Sequence, residues 1–276
     1  MNTEPLGVTT QTATDGFSQA THPIAQTTIH TPSAGLHTGD VLIRSQGEEL
    51  PAYFARPAPR QGKLPVILVV QEIFGVHEYI RDVCRRLAHE GYFAIAPELY
   101  FRQGDASQYS DITLLLKELV SQVPDQQVLA DLDHTAHWAA SQGGDVHKLA
   151  ITGFCWGGRI SWLYAAHNPQ VKAAIAWYGK LMADKTLCTP SHPVDQAKNL
   201  CAPVLGLYGG QDSGIPLSTV EMMRQMLRAA NADAEIIVYP EAGHAFHADY
   251  RPSYQAEAAQ DGWQRMLNWL SLYGVE

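Results

Sequence analysis

Residues 148–168 read KLAITGFCWGGRISWLYAAHN. The first seven form an apolar run of the kind a strand buried on both faces requires. The last thirteen have helical character. Between them lies G-x-C-x-G, with Cys155 flanked at two residues' distance by Gly153 and Gly157. A nucleophile at a tight strand-to-helix turn projects from the top of a sheet, its backbone strained. Small residues on either side relieve the crowding that the turn creates. The helix that follows aims its N-terminus at the sulfur, a setting that favours the thiolate. The amide of Trp156 is free at that helix end and can serve as half of an oxyanion hole. A buried core cysteine beside a Gly-rich turn is the alternative reading. A dinucleotide-binding loop is not, because GFCWGG does not fit G-x-G-x-x-G.

The same alternation continues outward in both directions. DVLIRS and LPAYFARP flank the turn-like QGEE as an antiparallel opening pair. PVILVVQ (65–71) is a continuous apolar run, YIRDVCRRLAHEG (79–91) a helix ending at Gly91, and YFAIAPEL (92–99) a second buried strand. Residues 110–142 hold two helical stretches broken at Pro124. Strands at 171–179, 203–210 and 234–240, helices at 219–231 and 253–272, and an irregular Pro-containing insertion at 180–199 complete the reading. Strand and helix alternate at least five times, which predicts an α/β domain: one mostly parallel sheet with helices on both faces. Residues 1–37, rich in Thr, Ser, Gln, Ala and Pro, read as an irregular N-terminal arm, mobile or draped over a single domain of residues 38–276.

Ligands of such sheets bind beyond the carboxyl ends of the strands. Asp212 follows the strand ending YGG, and His244 follows the strand ending VYP, in a Gly-containing loop. The order nucleophile, acid, histidine is that of the α/β-hydrolase arrangement. Asp212 would orient the imidazole, and His244 would hold or shuttle the thiol proton. Taken singly, Asp212 reads equally as a turn residue or helix cap and His244 as a satisfied loop histidine. His244-x-x-His247 lacks a third ligand of matching spacing, and His134-x-x-His137 reads as a helix face, so no metal is expected.

The formal net charge of -9 disfavours nucleic acid and anionic membrane as partners. No run of 18 apolar residues occurs, and the first residues lack the basic and apolar regions of an export signal. The four cysteines form no CxxC pair. Reduced thiols and a cytoplasmic location are therefore the expectation.

Five separated motifs, QEIFGVHEYIRD (71–82), APELYFRQG (96–104), GFCWGGR (153–159), YGGQDSGIP (208–216) and AGHAFHADYRPSY (242–254), make residues 40–272 resemble the dienelactone hydrolase (carboxymethylenebutenolidase-like) family. The resemblance implies an α/β-hydrolase fold and a cysteine hydrolase that acts on cyclic enol esters without a cofactor. It also implies that Glu72 takes the proton of the nucleophile; a buried carboxylate does so if burial raises its proton affinity. It makes the amide of Ile73 the second oxyanion donor and Arg102 the anchor for a substrate carboxylate, which a guanidinium grips with two parallel hydrogen bonds. Glu72 also reads as a capping or salt-bridging residue, and Arg102 as a surface arginine. Members that cleave dienelactones carry another substrate-binding arginine four residues after the histidine. Here that position is Ala248, and Arg251, three residues on, is the substitute or else a partner of Asp249 or Glu257. The expected partner is a small ester or lactone, carboxylate-bearing if the arginines serve it, and the expected state a monomer or small homo-oligomer. A weakly active binding protein with a hydrolase fold is the alternative. A thiol redox protein lacks a resolving cysteine nearby.

Overall fold

The structure, a computed structural model, describes residue 21 and residues 23–58 and 62–276. The expected arm thus lies partly outside the described residues. The sheet opens with a hairpin, β1 (Leu36–Ser45) and β2 (Glu48–Pro57). Gln46 and Gly47 alone make the turn, both at positive φ (51° and 89°), the two-residue geometry that matches the twist of paired strands. Ser45 pairs with Glu48, so β2 begins inside the segment read as the QGEE turn, and β1 begins at Leu36, ahead of DVLIRS.

The chain then alternates: β3 (Leu64–Val70), α1 (Glu78–His89), β4 (Phe93–Pro97), α2 (Ile112–Glu118), α3 (Asp125–Ser141), β5 (Gly144–Phe154), α4 (Trp156–His167), β6 (Val171–Trp177), α5 (Pro193–Gln196), β7 (Val204–Gly209), α6 (Leu217–Ala230), β8 (Ala234–Tyr239) and α7 (Ala256–Leu272). Pro124 sits just before α3, where its fixed φ and missing N–H do no harm. The eight strands are ordered β1-β2-β4-β3-β5-β6-β7-β8. The pairs β1–β2 and β2–β4 are antiparallel and the other five are parallel. Between helices on both faces, β3 is buried from Pro65 to Val70 and β6 throughout except at Val171's neighbour Lys172, as their continuous apolar runs require.

Two irregular segments are tied to this frame. Residues 23–35 cross α1: the amide and hydroxyl of Thr31 donate to Asp82 (2.5 and 3.0 Å), and Arg85 Nε donates to the Thr31 carbonyl (2.9 Å). The 180–199 insertion is held by buried Arg159 of α4. That guanidinium forks onto Asp125 at the start of α3 (2.7 Å for both bonds) and also donates to the Ser191 carbonyl (2.7 Å) and to His192 Nδ1 (3.2 Å).

Candidate active site

Cys155 sits between β5 and α4 with φ 56° and ψ −112°, a conformation few non-glycine residues adopt. Its amide donates to the Trp177 carbonyl (3.0 Å), which fastens the turn to the end of β6. Close packing explains the glycines. A Cβ on Gly153 would lie 2.1 Å from the Gly157 carbonyl oxygen, and one on Gly157 would lie 2.4 Å from that of Val70. Helix α4 therefore starts directly against the end of β3, the strand that leads into Glu72 and Ile73. Trp156 opens α4, where an amide has no acceptor within its own helix.

Two further strand ends supply the partners. Asp212, just past β7, is buried; its Oδ1 accepts the Gly214 amide (2.9 Å) and its Oδ2 lies 2.7 Å from His244 Nδ1. His244 lies past β8, and the residue after it, Ala245, is also strained at φ 60°. Burial alone would lower the proton affinity of His244. The hydrogen bond that His244 donates to Asp212 and the nearby Cys155 sulfur outweigh it and push the pKa up to about 10, so beside a thiolate the ring is imidazolium at neutral pH. The structure thus brings Cys155, Asp212 and His244 together from three separate strand ends.

Glu72 lies deep in the same region with no exposed surface. Tyr250 Oη donates to its Oε2 (2.5 Å), and His77 Nε2 lies 3.7 Å from that oxygen, while among the described residues Oε1 has no hydrogen-bond partner. Here the structure differs from the expectation. Burial raises the proton affinity of Glu72, but His77, Arg251 and Tyr250 together outweigh burial and leave it below the usual value for a glutamate. The resting group is an anion able to accept a proton. Arg251 contributes as a charge: it faces Glu72 and Cys155 electrostatically, its guanidinium lies 5.7 Å from the Phe74 ring centre, and no acceptor among the described residues takes a hydrogen bond from it. It pairs with neither Asp249 nor Glu257; Asp249 is bound instead by Arg86.

Arg102 requires a correction. Its Nη1 and Nη2 fork onto the buried Asp131 of α3 (2.6 and 3.2 Å), Nε donates to Glu48 (3.1 Å) and Nη2 to the Ser45 carbonyl (3.2 Å). Four hydrogen bonds to protein groups commit this fork to joining the β1–β2 turn to α3, so it is not the free anchor that was expected. The other ambiguous histidines are resolved: His134 and His137 bond through Nδ1 to carbonyls one turn earlier in α3 (2.7 and 2.8 Å). Among the described residues, no group of three or more His, Cys, Asp or Glu is placed to hold a metal ion. All four cysteines are free, and no described helix is long and apolar enough to cross a membrane.

Sequence reasoning missed Tyr250, His77 and Tyr178. Tyr178, at φ 39°, sets its ring edge-on to His244 (5.2 Å between centres) and buries its hydroxyl beside Tyr79. Each lies within or beside a segment that was singled out, yet nothing in hydrophobic period or turn chemistry tells a tyrosine that meets a carboxylate from one that fills a core.

Residues 50–274 match the model of the dienelactone hydrolase family. A Yersinia pestis protein named "Putative carboxymethylenebutenolidase" is 71% identical over 241 residues, covering 87% of this chain and 90% of the relative. An Escherichia coli K12 protein of the same name is 66% identical over 263 residues, covering 95% and 97%. The crystal structure of a "Putative Dienelactone Hydrolase" from Klebsiella pneumoniae superposes with a TM-score of 0.85 at 69% identity, covering 86% of this chain and 99% of that one. The fold is that of the α/β-hydrolases.

Proposed function

The chain belongs to the dienelactone hydrolase family, and from that premise we propose that it cleaves a lactone or activated ester by acyl transfer through Cys155. The observation that carries this reading is the 2.7 Å contact of Asp212 with His244, beside a cysteine held at positive φ between β5 and α4. When substrate enters, the thiol proton passes to Glu72, leaving a thiolate that the His244 imidazolium stabilises. The thiolate attacks the carbonyl, and the amides of Ile73 and Trp156 hold the oxyanion. His244 gives its proton to the leaving oxygen. With the sulfur acylated, the negative charge that helped to hold a proton on the ring is gone, and neutral His244 becomes the base for attack by water. Expulsion of the thiolate, and return of the proton from Glu72, restores the resting site. Thiolates favour esters over amides, and Arg251, not Arg102, is the anchor for a substrate carboxylate.

Mass spectrometry during turnover of an aryl ester tests the reading. The wild type should gain one acyl mass on Cys155, and Cys155→Ala should show neither adduct nor turnover. Turnover retained by Cys155→Ala would remove the sulfur from its role. Arg251→Ala should abolish a preference for carboxylate-bearing esters, and equal preference in the two proteins would refute the anchor.

A further inference from the structure

We propose that Tyr250 is a positioning residue for Glu72 and that the N-terminal arm holds it in place. The proposal rests on the reading of Glu72 as acceptor of the thiol proton. That transfer breaks S–H at Cys155 and forms O–H at a Glu72 oxygen, the electron pair staying on sulfur. The carboxylate must therefore present one oxygen free and remain an anion until then.

Tyr250 meets both demands. Its hydroxyl occupies Oε2 at 2.5 Å, which leaves the unpartnered Oε1 as the acceptor. A hydrogen bond donated to a carboxylate favours the charged form. The groups facing Glu72 are His77 from the segment before α1, Tyr79 of α1, Tyr178 from the end of β6, and Tyr250 with Arg251 from the segment after β8. Of these, Tyr250 donates to Oε2 at 2.5 Å, while His77 stands 3.7 Å from the same oxygen and adds the larger stabilisation of the anion.

The placement of Tyr250 is in turn set by the arm. The Ile24 amide donates to the Tyr250 carbonyl (3.2 Å), and Thr27 Oγ1 donates to the Asp249 carbonyl (2.5 Å). The Asp249 carboxylate is bound by Arg86, which also reaches Asp82 (2.5 Å), the aspartate that receives Thr31 of the arm. Arm, α1 and the segment carrying Tyr250 thus form one polar clasp. In this proposal the clasp acts on the chemistry through the Tyr250 hydroxyl.

The test is the pH profile of kcat/KM for p-nitrophenyl acetate in the full chain, with wild type, Glu72→Gln, Tyr250→Phe, Thr27→Val and the double variant Thr27→Val/Tyr250→Phe. Tyr250→Phe keeps the ring and removes the donor. Its acid limb should move up by about one to two pH units, the size of one charge-assisted hydrogen bond. Thr27→Val should shift the limb the same way by less, and should add nothing once Tyr250 is Phe. If Glu72→Gln abolishes the limb while Tyr250→Phe leaves it in place, the positioning role is wrong and the Glu72 reading stands. If Glu72→Gln keeps both limb and rate, the Glu72 reading fails and this inference goes with it. An undiminished effect of Thr27→Val in the Tyr250→Phe background would overturn the link to the arm.

Discussion

Replacing Gly157 by alanine should cost far more activity than stability. The added Cβ would lie 2.4 Å from the Val70 carbonyl oxygen, 2.5 Å from that of Gln71 and 2.8 Å from the Val70 carbonyl carbon. All three atoms are backbone at the end of β3, so no side chain can rotate away. The start of α4 must retreat by about 0.6 Å for the closest contact to reach 3.0 Å, the distance below which real Cβ atoms are essentially never found. Overpacking of this kind costs about 1–3 kcal/mol, which a chain of this size survives. The same retreat separates the Trp156 amide from the Ile73 amide. Loss of one oxyanion donor lowers kcat by about 10²–10³-fold. Paired measurements of urea unfolding and kcat on an aryl ester give both quantities. A variant with kcat within threefold of wild type would refute the argument, because the two amides would then not be set by this contact.

Asp212→Asn should lower kcat by about 10³-fold or more with little change in KM, since the imidazole loses the carboxylate that orients it; steady-state kinetics decide. Because His244 binds its proton more tightly folded than unfolded, its stabilising contribution is complete below about pH 6.5 and is lost as pH rises toward 10. The denaturation midpoint of wild type should therefore fall over that window, and that of Asp212→Asn should fall less. Arg102→Ala should destabilise the fold by about 1–3 kcal/mol in urea unfolding, since it removes the charged partner of the buried Asp131 and leaves it only the hydrogen bonds from Ser45 and Gln46, and should leave the preference for carboxylate substrates unchanged. His247, buried against aromatic rings, is held neutral by burial and by nearby Arg86. Its proton affinity is depressed on folding, so stability should drop as pH falls below about 6.5, and His247→Gln should soften that drop.

Much of this was legible in the sequence because strand ends are. Unbroken apolar runs such as 65–71 and 171–177 locate the strands, and in a parallel sheet the residues just beyond them share one edge. That logic singled out Cys155, Asp212 and His244, three residues that the fold gathers at one edge of the sheet. It failed for Arg102, whose position past β4 is correct but whose side chain turns to Asp131, a partner 29 residues away on α3. Position along a strand does not encode the direction of a long, flexible side chain. It also missed the balance at Glu72. Burial was foreseeable, but His77, Arg251 and Tyr250, which together overcome it, come from two separate segments, Tyr250 lying 178 residues on.

One consequence follows from where the strands stand in the sheet. The sulfur follows β5, near the middle, whereas the imidazole rides behind β8, an edge strand most of whose residues are only partly covered. Edges fray before centres do. On mild warming, β8 should detach while β3, β5 and β6 remain paired, leaving a thiol without its histidine in an otherwise native molecule. Catalysis would then vanish some degrees before the tertiary signal does, and return on cooling without any need to refold.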